Sequence, residues 1–168
     1  PHENKIIVTV ARLQPQKGHV YLLNAAKEII RKNHYTSFLF IGDGELKEEL
    51  LRKVDESGLN KNIIIAGARD DIPSILAISD IFVLPTLWEG MPNSILEAMS
   101  ASLPVIATNV DGCPEVVLNE ITGFIIKKKN ENELISSINK LLKDEQLCSS
   151  FGKAGFERAK DRFSPKST

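Results

Sequence analysis

Two groups of residues in this chain are of types that could hold a phosphorylated ligand. The first is basic. Arg12 and Lys17 share the turn-rich segment Arg12-Leu13-Gln14-Pro15-Gln16-Lys17-Gly18. A diphosphate needs compensating positive charge, and an arginine can grip it through two parallel hydrogen bonds. The alternative is a pair of solvated surface cations. The second group lies in Trp88-Glu89-Gly90-Met91-Pro92-Asn93-Ser94-Ile95-Leu96-Glu97-Ala98-Met99, where seven residues separate two glutamates. Glu89 sits in the loop, as a residue able to hold sugar hydroxyls or as a solvated carboxylate. Gly90 lets a ligand approach the backbone, and Trp88 is more naturally a packing residue than a stacking platform.

Asn93 and Ser94 open a helix straight after a strand. Free amides and the positive end of the helix dipole make such a terminus an anion site, or simply a capped helix that binds nothing. Glu97 stands one turn on, on the Asn93 face, with about 6 Å of rise between them. That offset suits a phosphate and a ribose, and a carboxylate can accept from both ribose hydroxyls. Against this, Ser94-Ile95-Leu96-Glu97 matches a capping box, in which the glutamate satisfies a backbone donor of its own helix. Spacing leaves the two readings open.

The elements that must position these residues alternate. Apolar, largely β-branched runs predict strands over 6–11, 37–41, 63–67, 81–85, 103–107 and 123–126. Continuous apolar runs suit strands covered on both faces. Apolar stripes at three- and four-residue spacing predict helices over 19–32, 45–57, 130–143 and 146–162, and the stretch that follows Pro92 to Ala101 is a further helix. Shorter helices are predicted from Asp71, with Pro73 in the first turn, and over 114–118. Such alternation predicts an α/β fold: a parallel sheet of about six strands with helices on both faces, in one Rossmann-like domain over 1–168. In open parallel sheets, ligands bind beyond the carboxyl ends of the strands. Arg12 and Lys17, Asp43, residues 67–70, residues 89–94 and residues 108–115 all follow strand ends.

Bulk properties exclude other classes. Twenty-one basic against 22 acidic residues, a net charge of -1, make no global case for a nucleic-acid partner. The longest basic run, Lys127-Lys128-Lys129, is expected to be a solvated loop. Cys113 and Cys148 show no metal spacing and suggest a reducing compartment. His2, His19 and His34 are scattered and form no zinc motif. No apolar run reaches membrane-spanning length, and no secretory leader pattern is visible. The chain opens on Pro1 and enters a core strand at Ile6, so it is expected to be a piece of a longer protein. Gly42-Asp43-Gly44 lacks the third glycine of a dinucleotide fingerprint, because Lys47 stands there. It is read as a tight turn with Asp43 as a cap.

Taken together, Val8-Thr9-Val10-Ala11-Arg12-Leu13 with Gln16-Lys17-Gly18, then Phe40-Ile41-Gly42-Asp43-Gly44, then Glu89 through Met99 resemble the C-terminal domain of GT-B retaining glycosyltransferases of family 4, the group 1 glycosyl transferases. The likeness covers nearly the whole chain, and Phe163-Ser164 is similar to the family's closing segment. It implies a donor domain that binds a nucleotide diphosphate sugar, such as a UDP- or GDP-hexose, for retaining transfer of a hexosyl group in polysaccharide, lipopolysaccharide or glycolipid synthesis. Arg12 and Lys17 would bind the diphosphate and, with Glu89, serve the reaction. Asn93 and Ser94 would offer amides to the phosphates, with Gly90 and Met91 in the same loop. Glu97 would bind the ribose and Glu89 the donor sugar, while backbone around Gly67 and Arg69 borders the base. No metal or further cofactor is expected. The resemblance also implies a separate N-terminal acceptor domain, weak or no transfer by this piece alone, and a cytoplasmic enzyme with peripheral contact at the inner membrane face. One departure stands out: Asp111-Gly112 replaces the family's frequent glycine pair. Two rivals are a UDP-sugar 2-epimerase half, for which no convincing acid-base set can be assigned, and a flavodoxin-like regulatory module. A phosphoacceptor module wants acidic residues at its first strand, where this chain has Arg12 and Lys17.

Overall fold

The computed structural model describes residues 3–165, so His2 lies outside the described residues. Six strands form one parallel sheet: β1 (Lys5–Val10), β2 (Thr36–Ile41), β3 (Ile63–Gly67), β4 (Ile81–Leu84), β5 (Val105–Thr108) and β6 (Gly123–Ile126). Their order is β3-β2-β1-β4-β5-β6, parallel throughout. The order reverses between β1 and β4, so the loops after these two strands diverge and leave a crevice at their carboxyl ends.

Period-two alternation sends successive side chains to opposite faces. Ile7, Ile81, Val83 and Ile106 enter one core with residues from α1 (His19–Lys32), α2 (Lys47–Ser57) and α6 (Glu131–Lys143). Val8, Phe82, Leu84, Val105 and Ala107 enter the other with residues from α3 (Ile72–Ala77), α4 (Asn93–Ser100) and α5 (Cys113–Val116). All four residues of β4 are at most 1% exposed, as the unbroken apolar run requires. The last helix, α7 (Glu145–Arg158), contributes Phe151 to the first core. It continues as a π-helical turn over Ala159–Phe163, whose Ala159 and Phe163 pack into the second. The Arg158 guanidinium stands 5.6 Å from the Phe163 ring.

Several boundaries differ from the sequence expectation, the fifth strand among them, which runs Val105–Thr108 where 103–107 is expected. The second helix starts at Lys47 and not at Glu45, because the Leu46 amide donates to the Leu13 carbonyl at 2.9 Å and holds the preceding turn against the β1 loop. Asp43 therefore caps no helix: its Oδ1 accepts from the Gly44 amide at 2.8 Å, closing a local turn. The last α-helix ends at Arg158, where the π-helical turn takes over. The short helix near Pro114 covers Cys113–Val116, displaced toward the β5 loop.

Candidate functional site

The β1 loop contains a 3-10 turn, Pro15–Lys17, ended by Gly18 at φ 73°. A Cβ on Gly18 would come within 2.0 Å of the Pro85 carbonyl oxygen. Only glycine combines that left-handed backbone with so close an approach. The contact presses the β1 loop onto the end of β4. Further bonds hold it there. The Leu87 amide donates to the Gln16 carbonyl at 2.7 Å. The buried Thr86 hydroxyl lies 3.1 Å from the Gln16 carbonyl and 2.8 Å from that of Trp88. Thr108, at the end of β5, donates its hydroxyl to the Thr86 carbonyl at 2.5 Å. Thr86 was missed as a site builder, whereas Thr108 heads the expected segment 108–115. Their signal was a hydroxyl standing immediately after a buried apolar strand, at 0% and 1% exposure.

This stitching brings two predicted residues together. The Lys17 ammonium meets the Glu89 carboxylate at 2.5 Å, with the side chains only 15% and 12% exposed. The Glu89 amide in turn donates to Asp111 Oδ2 at 2.7 Å. Arg12 is exposed on the same loop and makes no ion pair among the described residues. The charges sit close enough to be felt beneath the loops: burial pushes the Cys113 thiol up to about 12, Glu89 and Asp111 push the same way, and Lys17 opposes them.

Helix α4 begins at Asn93 with Pro92 at its N-cap and no side-chain cap bond. Ser94 is thus inside the first turn, and the capping box with Glu97 is not formed. With Pro92 as N-cap the helix starts two residues earlier than the motif needs. The Asn93 amide donates to the Met91 carbonyl at 2.9 Å, while the Ser94 amide donates to no backbone carbonyl among the described residues. Asn93 and Glu97 both line a cavity of about 900 Å³ between α3 and α4, together with Ile72, Pro73, Leu76 and Leu96. Glu97 is exposed and enters no ion pair among the described residues. Trp88 and Met91 stand exposed on the loop, at 55% and 58%, so Trp88 is not the packing residue expected of it.

Gly67 ends β3, and its carbonyl accepts from the Gly42 amide at 2.9 Å, while Gly67 pairs with Ile41 after a register shift. Arg69 turns its guanidinium onto Asp71 through two bonds of 2.9 Å, which holds the Asp71 carboxyl below its ordinary range. His19, 1% exposed and packed against Phe40, has no hydrogen-bond partner at either ring nitrogen among the described residues. Burial, and then the Lys17 charge, lower its pKa to about 4. Among the described residues no three His, Cys, Asp or Glu side chains gather as a metal-ligating group, and no helix is long and apolar enough to cross a membrane.

Similar proteins share this arrangement of elements. The chain is 41% identical over 145 residues to UDP-Gal:alpha-D-GlcNAc-diphosphoundecaprenol alpha-1,3-galactosyltransferase of Escherichia coli, a match covering 84% of this chain and 38% of that enzyme. The crystal structure of Anabaena HepE in complex with UDP-glucose superposes with a TM-score of 0.89 at 27% identity, covering 96% of this chain and 45% of that one. The C-terminal domain of LpcC, a glycosyl transferase group 1 family protein of Francisella tularensis, superposes with a TM-score of 0.87 at 25% identity, covering 98% and 88%. The chain spans less than half the length of the curated relatives it matches. Its fold is the Rossmann-like half of a GT-B glycosyltransferase, and residues 1–158 match the family profile of Glycosyl transferases group 1, so the chain belongs to that family.

Proposed function

We propose that this chain is the donor-binding C-terminal domain of a retaining, family 4 glycosyltransferase that uses a UDP-hexose. The observation that carries the reading is the meeting of Lys17 and Glu89 at the switch point, beside a cavity that holds Asn93 and Glu97. On this reading Arg12 and Lys17 neutralise the diphosphate, and the Ser94 amide at the positive end of α4 adds to them. Glu97 accepts from the ribose hydroxyls, Glu89 orients the hexose, and Gly90 and Met91 line the approach. Backbone at Gly67 and Arg69 borders the base. UDP is favoured over GDP by the UDP-Gal-dependent relative at 41% identity and by the UDP-glucose complex of HepE. The acceptor would bind an N-terminal domain outside this single domain, at the cytoplasmic side of the membrane, in polysaccharide or glycolipid synthesis.

A thermal-shift titration with UDP, GDP and ADP tests the reading. UDP at about 100 times its Kd should add about 2.7 kcal/mol of stability, and Arg12→Ala with Lys17→Ala should remove most of that response. No shift with any of the three nucleotides, or an unchanged UDP affinity in the double variant, would refute it.

A further inference from the structure

We propose that Asp111 is a positioning residue for donor-sugar recognition, fixing Glu89 through its backbone; this rests on the reading that Glu89 faces the hexose. Glu89 is gripped at both ends by different loops. Its carboxylate meets Lys17 from the β1 loop, and its amide donates to Asp111 Oδ2 at 2.7 Å from the β5 loop, 22 residues away in sequence. Asp111 holds a left-handed backbone, φ 44°, at a position that glycine would occupy without strain. The side chain is therefore kept where the backbone alone argues for its absence. Beside it, a Cβ on Gly112 would come within 2.7 Å of the Gly90 carbonyl oxygen. The β5 loop thus lies directly against the β4 loop, and the carboxylate reaches across that contact.

A loop carboxylate held at only one end would sample several rotamers and would lose that freedom on meeting a sugar. Asp111 removes part of that cost in advance. The gain applies only to ligands that carry the hexose. UDP alone, held by Arg12, Lys17 and α4, lies outside its reach. Asp111 is thus a determinant of the preference for nucleotide sugar over nucleotide.

The test compares Kd for UDP and for UDP-galactose by calorimetry in the wild-type chain, Asp111→Gly and Asp111→Asn. Glycine suits φ 44°, so Asp111→Gly keeps the fold, as its circular dichroism will report. It should weaken UDP-galactose relative to UDP by about fivefold, the worth of one ordinary hydrogen bond. Asparagine tolerates the same backbone, keeps an oxygen acceptor for the Glu89 amide and should retain the wild-type ratio. An unchanged ratio in Asp111→Gly, or an equal loss in both variants, would overturn the assignment. Binding of neither ligand by the wild-type chain would instead bring down the reading of Glu89 on which it stands.

Discussion

Glu89→Gln should move the affinities for UDP and UDP-galactose in opposite directions. In the free domain the Glu89 carboxylate lies 2.5 Å from the Lys17 ammonium, and both side chains are mostly shielded. A phosphate reaching another face of that ammonium would sit roughly 6 Å from the carboxylate. At an effective dielectric of about 20, two unit charges at that separation repel by about 3 kcal/mol. Solvent access at the loop rim and salt reduce this to about 1 kcal/mol. Removing the charge should therefore tighten UDP by about fivefold. The same substitution turns charge-assisted bonds to the hexose into neutral ones, a loss of about 2 kcal/mol. UDP-galactose, which feels both effects, should bind about fivefold more weakly than to the wild-type chain. Calorimetric titrations at low and high salt read both changes, and the UDP gain should shrink with salt. Weaker UDP binding in Glu89→Gln, or a shift of both ligands in one direction, would refute the placement of Glu89 between phosphate and sugar.

Glu97→Ala should lower UDP affinity about tenfold while leaving the melting temperature within about 1 °C, because Glu97 makes no cap bond in α4; a clear drop in melting temperature would restore the capping role. Stability should fall as pH drops from 7 to 4. The His19 imidazole titrates near 6.5 in the unfolded chain and near about 4 in the folded one, so in that window only the unfolded state binds the proton. The loss approaches about 3 kcal/mol at about 1.36 kcal/mol per pKa unit. In urea unfolding followed by far-UV circular dichroism, His19→Phe should remove this part of the acid sensitivity; parallel pH profiles for the two proteins would disprove it.

Much of this molecule was legible in its apolar runs. Strands such as Ile81–Leu84 are buried on both faces, and that demand writes itself into four consecutive apolar residues. The residues at strand ends were legible for the same reason, since topology alone brings the β1 and β4 loops to one crevice. Side-chain partnerships were less so. Nothing in spacing pairs Lys17 with Glu89, 72 residues apart, or sends Asp111 to a backbone amide and not to solvent. In the sequence Asp111 stands out only as a departure from the family's frequent glycine pair. The capping-box alternative fails because the motif counts residues from Ser94, whereas the backbone turns into the helix at Pro92. Asp43 misled: its local bond to Gly44 competes with capping, and the tie of Leu46 to Leu13 delays the helix.

The strand order has a consequence for how the domain comes into being. β1 pairs with β2 in the first 41 residues, but it meets β4 only through Ile7 with Ile81 and Val8 with Phe82. The candidate site straddles that second pairing. Closing so long a loop costs entropy before any contact repays it. The first half of the chain can thus gain strand and helix while holding no binding crevice at all. The crevice exists only once β4 lies beside β1 and Glu89 is carried to Lys17. On the proposed reading, affinity for nucleotide belongs to the completed sheet, and a bound nucleotide would act as a clasp on the seam between β1 and β4.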